Sequence, residues 1–284
     1  MNWQTEVDEG KRFEFGGNWR RFIGLLSEER IVQAENSLRS MLGVSNLVGK
    51  RFLDAGSGSG LFSLAAWRLG AQVVSFDYDP HSVACTRELR RMHAADDVRW
   101  SVAEGSVLDR EWLSGLGRFD VVYSWGVLHH TGAMWRAMEN IVEAVDASGS
   151  AFMAIYNDQG RASRRWAAVK RWYNRWPPLR GPLLALCLMR IWGPTSLRDL
   201  LAGRPFHGWK TYARQGARAM DPWRDLVDWV GGYPFEVAKP EAVFEFFRER
   251  GFRLERLTTC GGGSGCNEYV FMRDRIHTGI DRHD

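Results

Sequence analysis

Phe52-Leu53-Asp54-Ala55-Gly56-Ser57-Gly58-Ser59-Gly60 decides the fold of this 284-residue chain. An apolar run ends in an acid, passes through three glycines spaced GxGxG and enters a helical segment near residues 61–69. Glycines there let the backbone come close to a ligand, and the helix start offers amide N–H groups without intrahelical partners. The same alternation continues outward. Arg51–Asp54, Gln72–Asp77, Val98–Val102, Phe119–Ser124 and Ala151–Ile155 read as buried strands, with helices near 61–69, 81–94 and 133–146 between them. Asp79-Pro80 opens the second of these helices, with Asp79 as its cap, and a further helix over Ser27–Leu42 precedes the first strand. Strands alternating with helices at this spacing predict βαβ units and a largely parallel sheet with helices on both faces.

After Asn157 the alternation stops. Arg161–Gly232 is rich in Trp and broken by Pro177, Pro178, Pro182, Pro194 and Pro205, which predicts short helices and loops. The pattern resumes at Lys239-Pro240 with a helix to Arg250, a strand from Phe252 to Leu257, the turn Gly261–Gly265 and a strand from Glu268 to Met272. The last two are expected to pair antiparallel and close the sheet. The expected organisation is an N-terminal helical segment (1–48), a core built from 49–158 and 237–273, a cap inserted between them (159–236) and a tail (274–284). The fold class is thus α/β, a Rossmann-like seven-stranded sheet with a mostly helical cap after the fifth strand.

Ordinary proportions of apolar (45%) and charged (25%) residues exclude disordered and low-complexity architectures. Four Cys without CxxC spacing make neither a disulfide framework nor a zinc site, which fits a reducing cytoplasm; Cys260 and Cys266 read as thiols of a hairpin, and no metal is implied. Residues 1–24 lack the pattern of a secretion signal, and the longest apolar stretch, Gly181–Trp192, is about half the roughly 20 residues a membrane span needs. Charge is unevenly placed. From Arg161 to Arg218 thirteen Lys and Arg stand against one acid, Asp199, whereas the rest of the chain carries 25 basic and 33 acidic residues.

The GxGxG spacing differs from the GxGxxG that seats a dinucleotide pyrophosphate. Asp54, two residues ahead of the first glycine, would repel a pyrophosphate but suits an ammonium group. Asp77 ends the next strand about twenty residues on, where a carboxylate can accept both hydroxyls of a ribose. The ligand implied is a cationic nucleoside.

On these residues the chain resembles the class I S-adenosylmethionine-dependent methyltransferases, over about Lys50–Tyr156 and Lys239–Met272. The resemblance implies that Asp54, Gly56, Gly58 and Gly60 hold the methionine portion of the cofactor, with Asp77 and the adjoining Tyr78 at the ribose. Glu104-Gly105-Ser106-Val107 falls where the family places its adenine-side motif, with Ser106 in place of the usual Asp. Phe119 to His130, including Ser124 and Trp125, looks like the fourth-strand motif of small-molecule methylases such as those of quinone biosynthesis, and Ala147–Ser150 replaces the usual Pro-Gly-Gly turn. In related methylases an N-terminal segment often folds over the cofactor, which marks Trp19 and Arg20 as further contacts.

His129 and His130 follow the fourth strand at the edge where ligands of open α/β sheets sit, and are candidates for a general base. Tyr156 and Asp158, which end the fifth strand, are candidates for the acceptor pocket, with Tyr233 and Glu236 behind them. The interleaved Arg and Trp of the cap have three readings: a lid whose basic face is solvated, a nucleic-acid surface, or a peripheral contact with anionic membrane. The lid reading ranks first and places Trp166, Leu183, Leu184, Leu186 and Trp192 toward the acceptor. The expected function is methyl transfer from S-adenosylmethionine to a small-molecule acceptor, hydrophobic or anionic, in the cytoplasm. RNA methylation and a non-catalytic, cofactor-binding scaffold are the alternatives.

Overall fold

Strand β1 (Arg51–Ala55) pairs parallel with β2 (Gln72–Asp77) on one side and β4 (Phe119–Trp125) on the other, so the GxGxG turn leaves the middle of a sheet. The structure is a computed structural model that describes residues 3–17, 19, 24, 26–215 and 222–274. The N-terminal part contributes α1 (Trp3–Asp8) and α2 (Glu28–Leu42). Then follow β1, α3 (Leu61–Arg68), β2, α4 (Pro80–Ala94), β3 (Trp100–Glu104), α5 (Arg110–Gly115), β4, α6 (Met134–Ala144) and β5 (Val145–Tyr156). Four helices come next: α7 (Arg161–Arg175), α8 (Arg180–Leu201), α9 (His207–Gln215) and α10 (Pro222–Gly231). Helix α11 (Pro240–Arg248), β6 (Phe252–Thr258) and β7 (Cys266–Arg273) complete the described chain. The seven strands lie in the order β3-β2-β1-β4-β5-β7-β6, with only the β5–β7 and β6–β7 pairings antiparallel.

Alternation along β1 divides the core. Phe52 faces Leu38, Leu64 and Trp100 on one side of the sheet, while Leu53 joins Val122, Ile141 and Phe247 on the other. Phe247 of α11 stacks on Phe271 of β7, ring centres 4.2 Å apart. Asp79 caps α4 as expected, accepting from the His81 N–H, and Asp109 caps α5 by accepting from Trp112 N–H.

Several boundaries differ from the sequence expectation, each for a local reason. Val98 is solvent-exposed in the turn before β3, so that strand starts at Trp100. Strand β5 begins at Val145 and runs through Ala147–Ser150, which had been read as a turn. The segment 161–232 forms longer helices than its prolines suggested, including 15 residues in α7 and 22 in α8. Pro177 and Pro178 lie in a single 3₁₀ turn between these helices, and Pro182 sits in the first turn of α8, where its missing N–H has no intrahelical role. Only Pro194 lies inside α8.

Helices α7, α8 and α10 share a small core of Tyr173, Cys187, Leu226 and Val230, against which Phe13, Trp166, Leu183, Leu184 and Trp229 pack. Lys170 of α7 is fully buried there. Its ammonium donates to the Trp229 carbonyl and lies 4.5 Å and 4.8 Å from the ring centres of Trp229 and Phe235. Burial pulls its pKa down to about 7. Leu186 does not face inward as the lid reading expected: it is 58% exposed, with Met189, Leu197 and Leu200 along the outer side of α8. Phe247→Ala is expected to cost about 3–5 kcal/mol in urea denaturation, against at most about 0.5 kcal/mol for Leu186→Ala. Comparable losses for the two would contradict the assignment of Leu186 to an open face.

Candidate active site

Because β1, β2 and β4 run parallel, their C-terminal ends lie at one edge, and a cavity of about 580 Å³ opens there and continues beneath the cap. The turn after β1 forms its floor. Gly56 has φ +88, and a Cβ at this position would collide with the side chain of Val127. Gly58 has φ +53, and a Cβ there would reach the indole of Trp19 at 3.3 Å, so Trp19 lies over the turn. Trp19, Asp54, Gly56, Gly58, Asp77, Tyr78, Ser106, Val107 and Trp125 all line the cavity.

Asp54 is 2% exposed, and its carboxylate accepts a 2.5 Å hydrogen bond from the Ser63 hydroxyl. Burial, opposed by that bond and reinforced by the negative charge of Asp77, raises its pKa to about 7. Asp77 accepts from the N–H of Gly58 with one oxygen and from that of Asp79 with the other, each at 2.9 Å. Burial nevertheless raises its pKa to about 6. Two carboxyls whose charge is disfavoured thus flank a glycine-rich turn, an arrangement that a cationic ligand stabilises.

Arg12 closes the site on the N-terminal side. Its guanidinium pairs with Glu6 at 2.6 Å, donates to the His130 carbonyl at 3.0 Å and lies 4.9 Å from the centre of the Tyr78 ring. Tyr78 in turn donates to Glu6, and Asp79 accepts from the Gly16 N–H in addition to capping α4. The sequence reading missed Arg12; besides Glu6, its partners Tyr78 and His130 are 66 and 118 residues away in the chain, beyond the reach of any local pattern.

Not every expected residue reaches the cavity. Gly60 has φ +80 before α3 and packs on Thr86, and the Ser124 hydroxyl donates to the Ala55 carbonyl beneath the floor. Arg20 lies outside the described residues. The two histidines are separated in place. His130 lines the cavity, and its Nδ1 lies 2.6 Å from the Pro234 carbonyl; a carbonyl only accepts, so Nδ1 carries the proton and the lone pair is on Nε2. His129 is fully buried behind it, with its ring 3.9 Å from that of Tyr156 and its Nδ1 accepting from the Tyr156 N–H.

Tyr156 lines the cavity, whereas Asp158 turns away to accept from the Gly160 N–H. Glu236 accepts from the Met134 N–H at the start of α6, and burial raises its pKa; the Tyr233 carbonyl accepts from Phe13 N–H. Neither lines the cavity. The cap contributes Trp166 and Trp192 as expected, and also Ile191, Tyr212, Asp225, Leu226, Asp228 and Trp229, which the sequence reading did not single out.

A family profile described as a methyltransferase domain matches residues 28–210. The ubiquinone biosynthesis O-methyltransferase of Rhodopseudomonas palustris (strain BisB5) is 27% identical over 141 residues, 49% of this chain and 53% of that protein. A ribosomal protein L11 methyltransferase of Alteromonas mediterranea is 42% identical over 53 residues, 18% of each chain. The chain therefore spans about half the length of the ubiquinone-pathway relatives and less of the other. Among solved structures, magnesium protoporphyrin IX methyltransferase from Synechocystis PCC 6803, crystallised with SAH, superposes with a TM-score of 0.51 at 15% identity, covering 91% of this chain and 94% of that one. The likeness is one of fold.

The raised pKa of Asp54 has a thermodynamic consequence with a definite sign. In the unfolded chain the group titrates near 4, so the stability it contributes is fully present below about pH 4 and is lost as pH rises through about 7. Asp54→Asn is therefore expected to lose about 2–3 kcal/mol less stability than the wild type between pH 5 and pH 8. Equal losses in urea denaturation at the two pH values would show that Asp54 ionises normally.

Proposed function

Since the chain belongs to the methyltransferase-domain family, whose profile matches residues 28–210, we propose that it transfers the methyl group of S-adenosylmethionine to a small-molecule acceptor held beneath the cap. The observation that carries this reading is the pair of carboxyls on either side of the glycine turn, buried Asp54 and half-buried Asp77. Their chemistry fits the cofactor: Asp54 suits its ammonium group, Asp77 its ribose hydroxyls, and Ser106 and Val107 line the adenine side. Trp19 and Trp125 would exclude water from it, the latter oriented by a 2.7 Å hydrogen bond from its indole N–H to Glu268. When bound, the cofactor supplies a methyl carbon made electrophilic by the adjacent sulfonium. Such a displacement depends mainly on alignment, and the cap's aromatic walls restrict the acceptor's position. His130, which lines the cavity with its Nδ1 on the Pro234 carbonyl, takes the acceptor's proton where the acceptor is a hydroxyl or amine. His129 positions Tyr156 from behind, through the backbone bond and the ring contact.

A second reading concerns the outer surface of the cap. Exposed Leu186, Met189, Leu197 and Leu200 along α8, with Arg190 and Arg198 on the same helix, suit a peripheral contact with an anionic bilayer. Among the described residues no helix is long and apolar enough to cross a membrane. Co-sedimentation with phosphatidylglycerol vesicles, weakened by Leu197→Ser with Leu200→Ser, is the outcome expected of this surface; sedimentation unchanged by those substitutions counts against it.

Calorimetric titration of the purified protein with S-adenosylmethionine tests the principal reading. Asp77→Ala is expected to weaken binding roughly 10-fold to 150-fold, the worth of a hydrogen bond to a charged group, about 1.5–3 kcal/mol. Unchanged affinity in a folded variant means that the acid has been misassigned. His130→Ala is expected to leave cofactor affinity within about threefold of the wild type and to lower turnover about 100-fold to 10,000-fold for an acceptor that must lose a proton. A fall of less than about fivefold would leave alignment alone to account for the reaction.

A further inference from the structure

The hairpin that closes the sheet carries two cysteines at its turn. Between β6 and β7, Leu257 stands opposite Tyr269 and Thr258 opposite Glu268. Continuing that register by two residues sets Cys260 against Cys266, one at each end of the loop Gly261-Gly262-Gly263-Ser264-Gly265. Directly opposed residues of an antiparallel pair have Cα atoms about 4.5–5.5 Å apart, inside the roughly 4.4–6.8 Å that a disulfide spans. Local contacts agree with the placement. The Cβ of Cys260 lies 3.3 Å from where a Cβ on Gly265 would stand, and its backbone N–H donates to the Asn267 side chain at 3.1 Å. Cys260 therefore touches the residues on both sides of Cys266.

Both are thiols in this structure and half-buried, whereas Cys85 and Cys187 are buried. The Cys260 thiol donates to the Gly263 carbonyl at 3.2 Å, a bond within the loop itself. Gly261 and Gly262 have φ +65 and +77, and a Cβ on either would meet nothing within 4 Å, so the tip of the loop has room to follow its ends as the sulfurs approach. The loop is also joined to the segment that leads from β5 into α7. Asn157 N–H donates to the Gly265 carbonyl, the Gln159 side chain donates to the Gly262 carbonyl, and the Ser264 hydroxyl donates to Gln159 Oε1. Ser264 in turn lines the cavity. The state of the two sulfurs thus bears on one rim of the cavity and on the start of the cap.

We propose that Cys260 and Cys266 form a reversible disulfide that pins this loop at the junction of sheet, cap and cavity. The oxidant is a small-molecule disulfide such as glutathione disulfide. One cysteine thiolate attacks a sulfur of that disulfide and expels a glutathione thiolate; the other cysteine thiolate then attacks the protein sulfur of the mixed disulfide and expels the second. The two thiol protons pass to the departing thiolates, so one glutathione disulfide is reduced to two glutathiones as the two cysteines are oxidised. This property does not depend on the methyl-transfer reading.

Mass spectrometry of the whole protein equilibrated in glutathione buffers, from fully reduced to fully oxidised, tests it. After acid quenching, unfolding, alkylation and trypsin digestion, both cysteines fall on the peptide 257–273. In oxidised buffer that peptide is expected to be two hydrogens lighter and unalkylated, and dithiothreitol is expected to restore it, while Cys85 and Cys187 stay alkylated throughout. Hydrogen exchange over 261–265 is expected to slow at least about fivefold in the oxidised protein, and not in Cys260→Ser with Cys266→Ser. An unchanged peptide across the series, glutathione adducts that never close to a bridge, or a bridge from either residue to Cys85 or Cys187 would each overturn the proposal. So would exchange that is equal in the two states, or a slowing that survives the double substitution. The peptide masses come from the wild type and decide the pairing even if the double variant fails to fold.

Discussion

Keeping two carboxyl groups at the mouth of a parallel sheet, where water cannot fully solvate them, is the constraint on which the rest of the site depends. Asp54 and Asp77 end neighbouring strands whose register brings Asp54 opposite Ser75 and Asp77 opposite Glu104. Their positions are fixed by the backbone hydrogen bonding of the sheet, not by side-chain choice. Desolvation disfavours their charge, and the hydrogen bonds from Ser63, Gly58 and Asp79 recover only part of it. A cation arriving between them would restore the ionised state, so the cost of their burial in the free protein becomes affinity for a cationic ligand.

The N-terminal segment and the cap complete the enclosure from opposite sides. Arg12 links Glu6, Tyr78 and the carbonyl of His130, which joins the segment before the sheet to the ends of both β2 and β4. On the other side Lys170 joins α7 to the end of α10 through Trp229, and Asn174 donates to the Gly231 carbonyl beside it. Phe13 bridges the two enclosures, since its ring lies 6.4 Å from Tyr173 of the cap and its N–H donates to the Tyr233 carbonyl. The cavity is therefore bounded by parts of the chain that are remote in sequence, each tied by one buried or half-buried cation.

Strands, the parallel order of the core and the glycine-turn end of the cavity were legible in the sequence because each is written locally. A buried parallel strand is a short apolar run, and the glycine turn and its two acids sit within 24 residues of one another. The cap was less legible. Prolines at 177, 178 and 182 suggested breaks, but they occupy a 3₁₀ turn and a helix start, where proline costs little. Leu186 and Leu184 are equally apolar in sequence, and only packing decides that one is exposed and the other covered. His129 and His130 are adjacent and chemically alike, yet the 3₁₀ turn that contains them sends one ring into the cavity and the other behind Tyr156. The thirteen basic residues in 161–218 do not by themselves say which side chains turn inward.

Proton exchange accompanying cofactor binding tests the central role of Asp54 and Asp77 most directly. Titration calorimetry with S-adenosylmethionine at pH 6 and at pH 8, each in two buffers of different ionisation enthalpy, counts the protons released. If the two carboxyls are partly protonated in the free protein and ionise around the cation, binding at pH 6 releases protons and binding at pH 8 releases almost none. Binding at pH 6 with the same heat in both buffers would contradict the account.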